Sequence, residues 1–157
     1  MAIITEENCY VTLDDATAYF DTRVNSLNWF DLSVKDQERA LITATRIINS
    51  LNFVGSVVSQ DQPLAFPRTG EYFDASKGMI IEFTDVVPDR VLNAVYELAI
   101  HLVVNNEILE ETGSVEELKV GSIMIKNIRN PAKTNDIVKN LLKPLLNNAS
   151  GMWWRAN

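Results

Sequence analysis

The sequence predicts a mainly α protein: a small helical bundle around a central apolar helix, with an inserted β-hairpin and a basic C-terminal helix followed by a tail. Three observations lead there. Residues 34–51 carry an apolar stripe at helical spacing, and 12 of the 18 residues in 91–108 are apolar. Clear two-residue alternation is confined to the stretch around Gly121-Ser122, apart from a short strand-like run at 79–83. A chain of 157 residues fits one ordinary core. The expected organisation is a single domain over 1–146 and a tail over 147–157.

Thr12 and Asp15 form a capping box with the shorter acid, and Leu13, Ala16, Phe20 and Val24 follow at helical spacing, which predicts a first helix over 13–24. Leu27, Trp29 and Phe30 occupy a short connection and are expected to plug the end of a two-helix corner. Ser33 and Asp36 repeat the start signal. Leu41, Ala44, Ile48 and Leu51 then oppose Lys35, Arg39, Thr43 and Arg46, predicting a second helix over 34–51. Residues 52–87 are rich in Gly, Pro, Ser and Asp and read as a long structured loop or flap, with only Met79-Ile80-Ile81-Glu82-Phe83 resembling a strand. Pro88 suits a first helical position, and the helix it opens, 88–108, must be central because it is apolar around most of its circumference. Asn93, Glu97, His101 and Asn105 recur every fourth residue on it, forming one narrow wet or hydrogen-bonded seam.

Beyond Gly113, Leu118 and Val120 alternate with Lys119, and Ile123 and Ile125 alternate with Met124 and Lys126. Gly121-Ser122 between them predicts a two-residue turn in a hairpin over 116–128. Ile137, Val138, Leu141, Leu142 and Leu145 give a last helix from about 134, which Pro144 must kink or end. The final residues, including Trp153-Trp154-Arg155, have no periodicity.

Charge is unevenly distributed. Residues 1–118 carry 7 Lys and Arg against 20 Asp and Glu, a net −13, whereas residues 119–157 carry 7 against 1, a net +6. The total of −7 argues against nucleic acid or anionic membrane binding over the whole surface. Such polarity suits two surfaces with two different partners, or a solvated basic helix. Cys9 is the only cysteine, so neither a disulfide framework nor a thiolate zinc site is expected. The first residues lack the basic and apolar regions of a signal peptide, and no run approaches the 18 or so apolar residues of a spanning helix. No membrane partner is expected.

No catalytic constellation emerges. His101 is the single histidine, and with Glu97 one turn earlier it offers either two metal ligands or a partnered seam; no third ligand is visible at suitable spacing. No Gly-rich phosphate loop is present, and Asp14-Asp15 and Glu110-Glu111 sit where solvated caps and linkers belong. The expectation is a protein without enzymatic activity, metal or cofactor. Trp153, Trp154 and Arg155 are the residue types that stack on bases, that anchor protein interfaces, or that fold back on a core.

Four segments resemble a family from tailed-phage structural gene clusters whose members often carry a DnaT-like single-stranded DNA binding label. They are Tyr10-Val11-Thr12-Leu13 with Ala16 and Tyr19; Ala40-Leu41-Ile42 with Ala44-Thr45-Arg46; Gln62-Pro63-Leu64-Ala65-Phe66-Pro67-Arg68-Thr69-Gly70; and Val87-Pro88 with Glu97-Leu98-Ala99. The third is the most specific, and the likeness runs over about residues 10–126, including Lys119-Val120-Gly121. The family resembles phage head-to-tail adaptors. That implies a non-enzymatic virion protein of the neck, assembled in the bacterial cytoplasm as a ring, commonly of 12 copies, beneath the portal. Its implied partners are the portal protein, tail or tail-terminator proteins and other copies of itself, with DNA passing through the ring without specific recognition. Single-stranded DNA binding in phage replication is the alternative.

Within that frame, Trp153, Trp154 and Arg155 are expected to dock on the portal, and Lys119, Val120, Ile123 and Ile125 of the hairpin to meet a neighbour or a tail component. Pro63, Phe66, Pro67, Arg68 and Gly70 are expected to form a structural buttress. Pro67 holds Phe66 extended for insertion into the bundle, Arg68 caps helix carbonyls or pairs with a carboxylate, and Gly70 takes a turn conformation closed to other residues.

Overall fold

A computed structural model describes residues 2–24, 26–105, 115–119, 124–128 and 136–147. Thr12 and Ser33 open helices α1 (Leu13–Asp21) and α3 (Val34–Asn49), their hydroxyls accepting from the amides of Asp15 and Asp36 at 3.1 and 3.3 Å. Each cap satisfies an amide that the helix leaves unpaired, an effect of about 1 kcal/mol. α1 stops at Asp21, short of Val24, which is exposed. In the corner, α2 (Leu27–Phe30) buries Trp29 against Phe20, with ring centroids 4.4 Å apart, while Leu27 and Phe30 point outward. Only one of the three expected plug residues therefore enters the core.

Leu41, Ala44 and Ile48 of the expected stripe are fully buried, and α3 packs against α4 (Asp89–Asn105), whereas Leu51 falls beyond the helix end at Asn49 and is exposed. α4 is the central helix that its composition predicts: Val91, Ala94, Val95, Leu98, Ala99 and Ile100 are all in the core. Also packed against α4 is α5 (Asp136–Leu142), continued by a 3-10 turn, Lys143–Leu145, that contains Pro144. Pro144 thus ends the α-helix, and Val138, Leu142 and Leu145 are buried. Backbone bonds from Val54 N to Leu145 O and from Asn147 N to Asn52 O, both 2.9 Å, tie this end to the residues after α3. The expected tail from 147 therefore begins with a residue bonded to the body, and residues 148–157 lie outside those described.

The mainly α expectation is wrong. Residues 52–87 contain a three-stranded antiparallel sheet in the order β1 (Ser56–Val57), β2 (Arg68–Asp74), β3 (Met79–Val86), so the fold mixes α and β structure. The physical reason lies in β2. Its inward positions are Arg68, Gly70, Tyr72 and Asp74, two of them charged. Internal hydrogen bonds satisfy both charges, so the strand is half-buried without showing an apolar alternation. A register shift between Arg68 and Gly70 places an extra residue on β3, where Asp85 takes a φ of 52°.

Strands β4 (Val115–Lys119) and β5 (Met124–Ile128) form the expected hairpin. Their register, Lys119 opposite Met124, is the one that a turn centred on 121–122 requires. Residues 120–123 lie outside those described.

Candidate functional site

Three polar clusters lock the described body together, and each joins elements far apart in sequence. In the first, Arg23 Nε and Nη2 donate to Oε1 and Oε2 of Glu97 at 2.8 and 2.7 Å, and the Tyr19 hydroxyl donates to Oε1 at 2.8 Å. Glu97 is 5% exposed, so this two-point pairing of carboxylate and guanidinium is what permits a charge on the central helix. The Glu97 bond holds the Arg23 guanidinium above its usual range, and burial, reinforced by Glu97, pushes the Tyr19 phenol up to about 12. The seam predicted on α4 is therefore hydrogen-bonded at Glu97. Tyr19 also stacks on Tyr96 at 4.6 Å.

The second cluster is built by the Pro63–Gly70 stretch. Phe66 is buried between Phe53 at 4.8 Å, Tyr10 at 6.1 Å and Phe83 at 6.4 Å. Asn49 Oδ1, at the end of α3, accepts from the Tyr10 hydroxyl at 2.7 Å and from the Ala65 amide. Arg68 donates to four backbone carbonyls: Gly55 at 2.6 Å, Val54 at 3.0 Å, Phe53 at 3.2 Å and Ala65 at 3.3 Å. It caps loop carbonyls rather than the helix end or carboxylate expected of it. Pro63 opens this loop, and Pro67 follows Phe66 through a cis peptide bond. Gly70 does not adopt the turn conformation expected from its type. It lies in β2, where a Cβ would stand 2.8 Å from Gly55 Cα and 3.1 Å from the Phe83 ring, so close backbone approach is what requires glycine.

In the third cluster Asp74 ends β2 and accepts from Ser76 Oγ at 2.5 Å, Ser76 N at 2.9 Å and Arg90 Nη2 at 2.9 Å. Arg90 also lies 5.7 Å above the Tyr72 ring, so it fastens the sheet to the start of α4. The Ser76 bonds first, then Arg90, hold the Asp74 carboxyl well below the usual carboxylate range. A depressed folded value contributes stability that is fully present above the unfolded value of about 3.9 and is lost as pH falls through the folded one. Asp74→Asn should therefore be less stable than the native protein in urea at pH 7. The gap should narrow below about pH 4, where the native carboxyl begins to lose the advantage of its charge.

These clusters take up three of the body's seven cations. Of the seven Lys and Arg in residues 1–118, Arg23, Arg68 and Arg90 are held internally and Arg39 pairs with Asp36 at 3.0 Å. Lys35, Arg46 and Lys77 are the others, exposed at the two ends of α3 and in the sheet turn. Among the described residues the aromatic rings are mostly internal as well, with only Phe30 and Phe73 among the exposed large hydrophobics. No group of three or more metal-ligating side chains exists among the described residues. What the surface does offer is apolar. Val24, Leu27, Phe30 and Val34 stand out around α2, Val24 and Leu27 at 81% and 77% exposure, and Phe73, Met79 and Ile80 stand out on the sheet.

Among the residues singled out from the sequence, the structure brings together Pro63, Phe66, Pro67, Arg68 and Gly70. Lys119 and Ile125 lie on β4 and β5. Val120, Ile123, Trp153, Trp154 and Arg155 lie outside the described residues. Sequence reasoning missed Arg23, Asn49, Asp74 and Arg90 as partners. Glu97 was visible as an oddity on an apolar helix, but its partner lies 74 residues away and has no local signal.

The described part is thus an α/β domain stiffened by internal ion pairs and carbonyl caps, with apolar patches on an acidic body. The chain belongs to the family described as "Putative DnaT-like ssDNA binding protein", whose family model matches residues 2–156. Neither a curated protein nor a solved structure matches it.

Proposed function

We propose that this chain is a non-enzymatic structural subunit of a tailed-phage virion, a head-to-tail adaptor that forms a ring beneath the portal. The observation that carries the reading is the pair of separate apolar patches, at α2 and on the sheet, exposed on an acidic body that holds three of its seven cations internally. Contiguous exposed apolar surface marks protein contacts, and two unlike patches suit the heterologous contacts from which rings close. The portal and a tail component are the partners at either face of the ring, in the virion neck. The basic end, with Trp153, Trp154 and Arg155, supplies attraction and anchoring toward the portal. DNA passes through without sequence-specific contacts.

Single-stranded DNA binding is the second reading, and the family's description favours it. It would have to use residues 119–157, which combine seven cations with two adjacent tryptophans. Two measurements separate the readings. Deleting residues 152–157 should leave thermal unfolding nearly unchanged and abolish attachment to portal-bearing heads. Binding of an oligonucleotide, followed at rising salt, should be weak throughout. Tight binding at low salt that falls steeply as salt rises, in a protein absent from purified particles, would replace the adaptor by the DNA-binding reading.

A further inference from the structure

The outer face of the sheet carries a pattern that the described residues leave unanswered. Phe73 and Ile80 stand directly opposite each other on β2 and β3, 59% and 56% exposed. The next pair on the same face is Glu71 opposite Glu82, both exposed, and neither has an ion-pair partner among the described residues. Like charges directly opposed across a strand pair destabilise it, and an apolar pair beside them remains in water. Both costs are relieved by one kind of partner: a surface with two cations spaced like the carboxylates and with aliphatic chain to lay over the rings.

The chain carries such a surface elsewhere. Lys139 on α5 and Lys143 at the start of the following turn are both exposed and four residues apart. That spacing places them on one face roughly 6 Å apart, against about 5 Å for a cross-strand pair. Lysine stems cover apolar surface while the ammonium groups reach outward. We infer that the outer sheet face of one copy docks the Lys139–Lys143 face of a second copy, with the stems across Phe73 and Ile80 and the ammonium groups on Glu71 and Glu82. The contact joins two different surfaces, so it is head-to-tail, and it propagates until rotation closes it. It rests on the ring reading for closure alone.

Sedimentation velocity over a wide concentration range tests it, with circular dichroism as the control for folding. The native protein should self-associate, and more weakly as salt rises. E71K/E82K and K139E/K143E should each weaken association by about a hundredfold, because each brings like charges together. Mixed in equal amounts, the two variants should associate again, since each then presents what the other lacks. A native protein that stays monomeric, variants that associate like the native protein, or a mixture that stays monomeric would each overturn the contact. Particle incorporation is read separately. Absence of the native protein from purified particles, with the mixed variants associating in solution, would sink the adaptor reading and leave the contact, whereas normal incorporation of both variants would sink the contact alone.

Discussion

Phe66→Ala is expected to destabilise the protein by about 3–5 kcal/mol, the range for truncating a fully buried aromatic ring. Phe66 is 1% exposed, and the rings of Tyr10, Phe53 and Phe83 surround it. Those rings belong to the N-terminal segment, the loop after α3 and strand β3, so no single element can collapse into the space. The hydrogen-bonded loop on either side also resists movement: Asn49 fixes Ala65, and Arg68 is fastened to four carbonyls. Phe66→Leu, which keeps much of the volume, should cost only about 1–2 kcal/mol. Urea unfolding of the three proteins checks this. A midpoint shift at constant slope reports lost stability, whereas a changed slope would report a different unfolded or native ensemble. A loss of under about 1.5 kcal/mol for the alanine variant would mean that the site relaxes and that the motif is no buttress.

Arg23→Ala is expected to cost about 3–5 kcal/mol at neutral pH, because it leaves the buried Glu97 carboxylate with Tyr19 as its remaining partner. Arg23 is itself only a quarter exposed, so solvent replaces little of the lost pairing. Replacing the pair together, Arg23→Met with Glu97→Leu, should recover most of the loss, since removing both charges also removes the cost of burying them. If the single variant loses nothing, the pair is a passive surface contact.

What could be read from the sequence was whatever depends on neighbours in the chain. The caps at Thr12 and Ser33, the stripe on α3, the centrality of α4, the stop at Pro144 and the hairpin register all follow from interactions reaching no further than about one helical turn or one tight turn. The Pro63–Gly70 stretch was legible as a structural motif by resemblance, yet the reasons assigned to two of its members were wrong. Arg68 holds loop carbonyls, and Gly70 serves a close strand contact, because the partners of both lie in residues 53–55, and those positions were read only as loop.

By itself the sequence determined where α1, α3 and α4 begin, to within a residue, and most of what α3 and α4 bury, because capping and amphipathic spacing are local. It also determined the acidic body and basic end, which are sums over residues and need no coordinates. The strand-like run at 79–83 does lie in β3, but tertiary structure alone decided that it pairs with residues 68–74, and these with 56–57, in a sheet. An inward-facing Arg68 and Asp74 look like solvated residues until carbonyls accept from the one and Arg90 pairs with the other, and those partners are up to 16 residues distant. It likewise decided that Glu97 can carry its charge inside the protein, since that depends on Arg23 crossing 74 positions of sequence to meet it. Local rules price a buried charge as prohibitive; only the fold supplies the opposite charge at 2.7 Å that makes the burial possible.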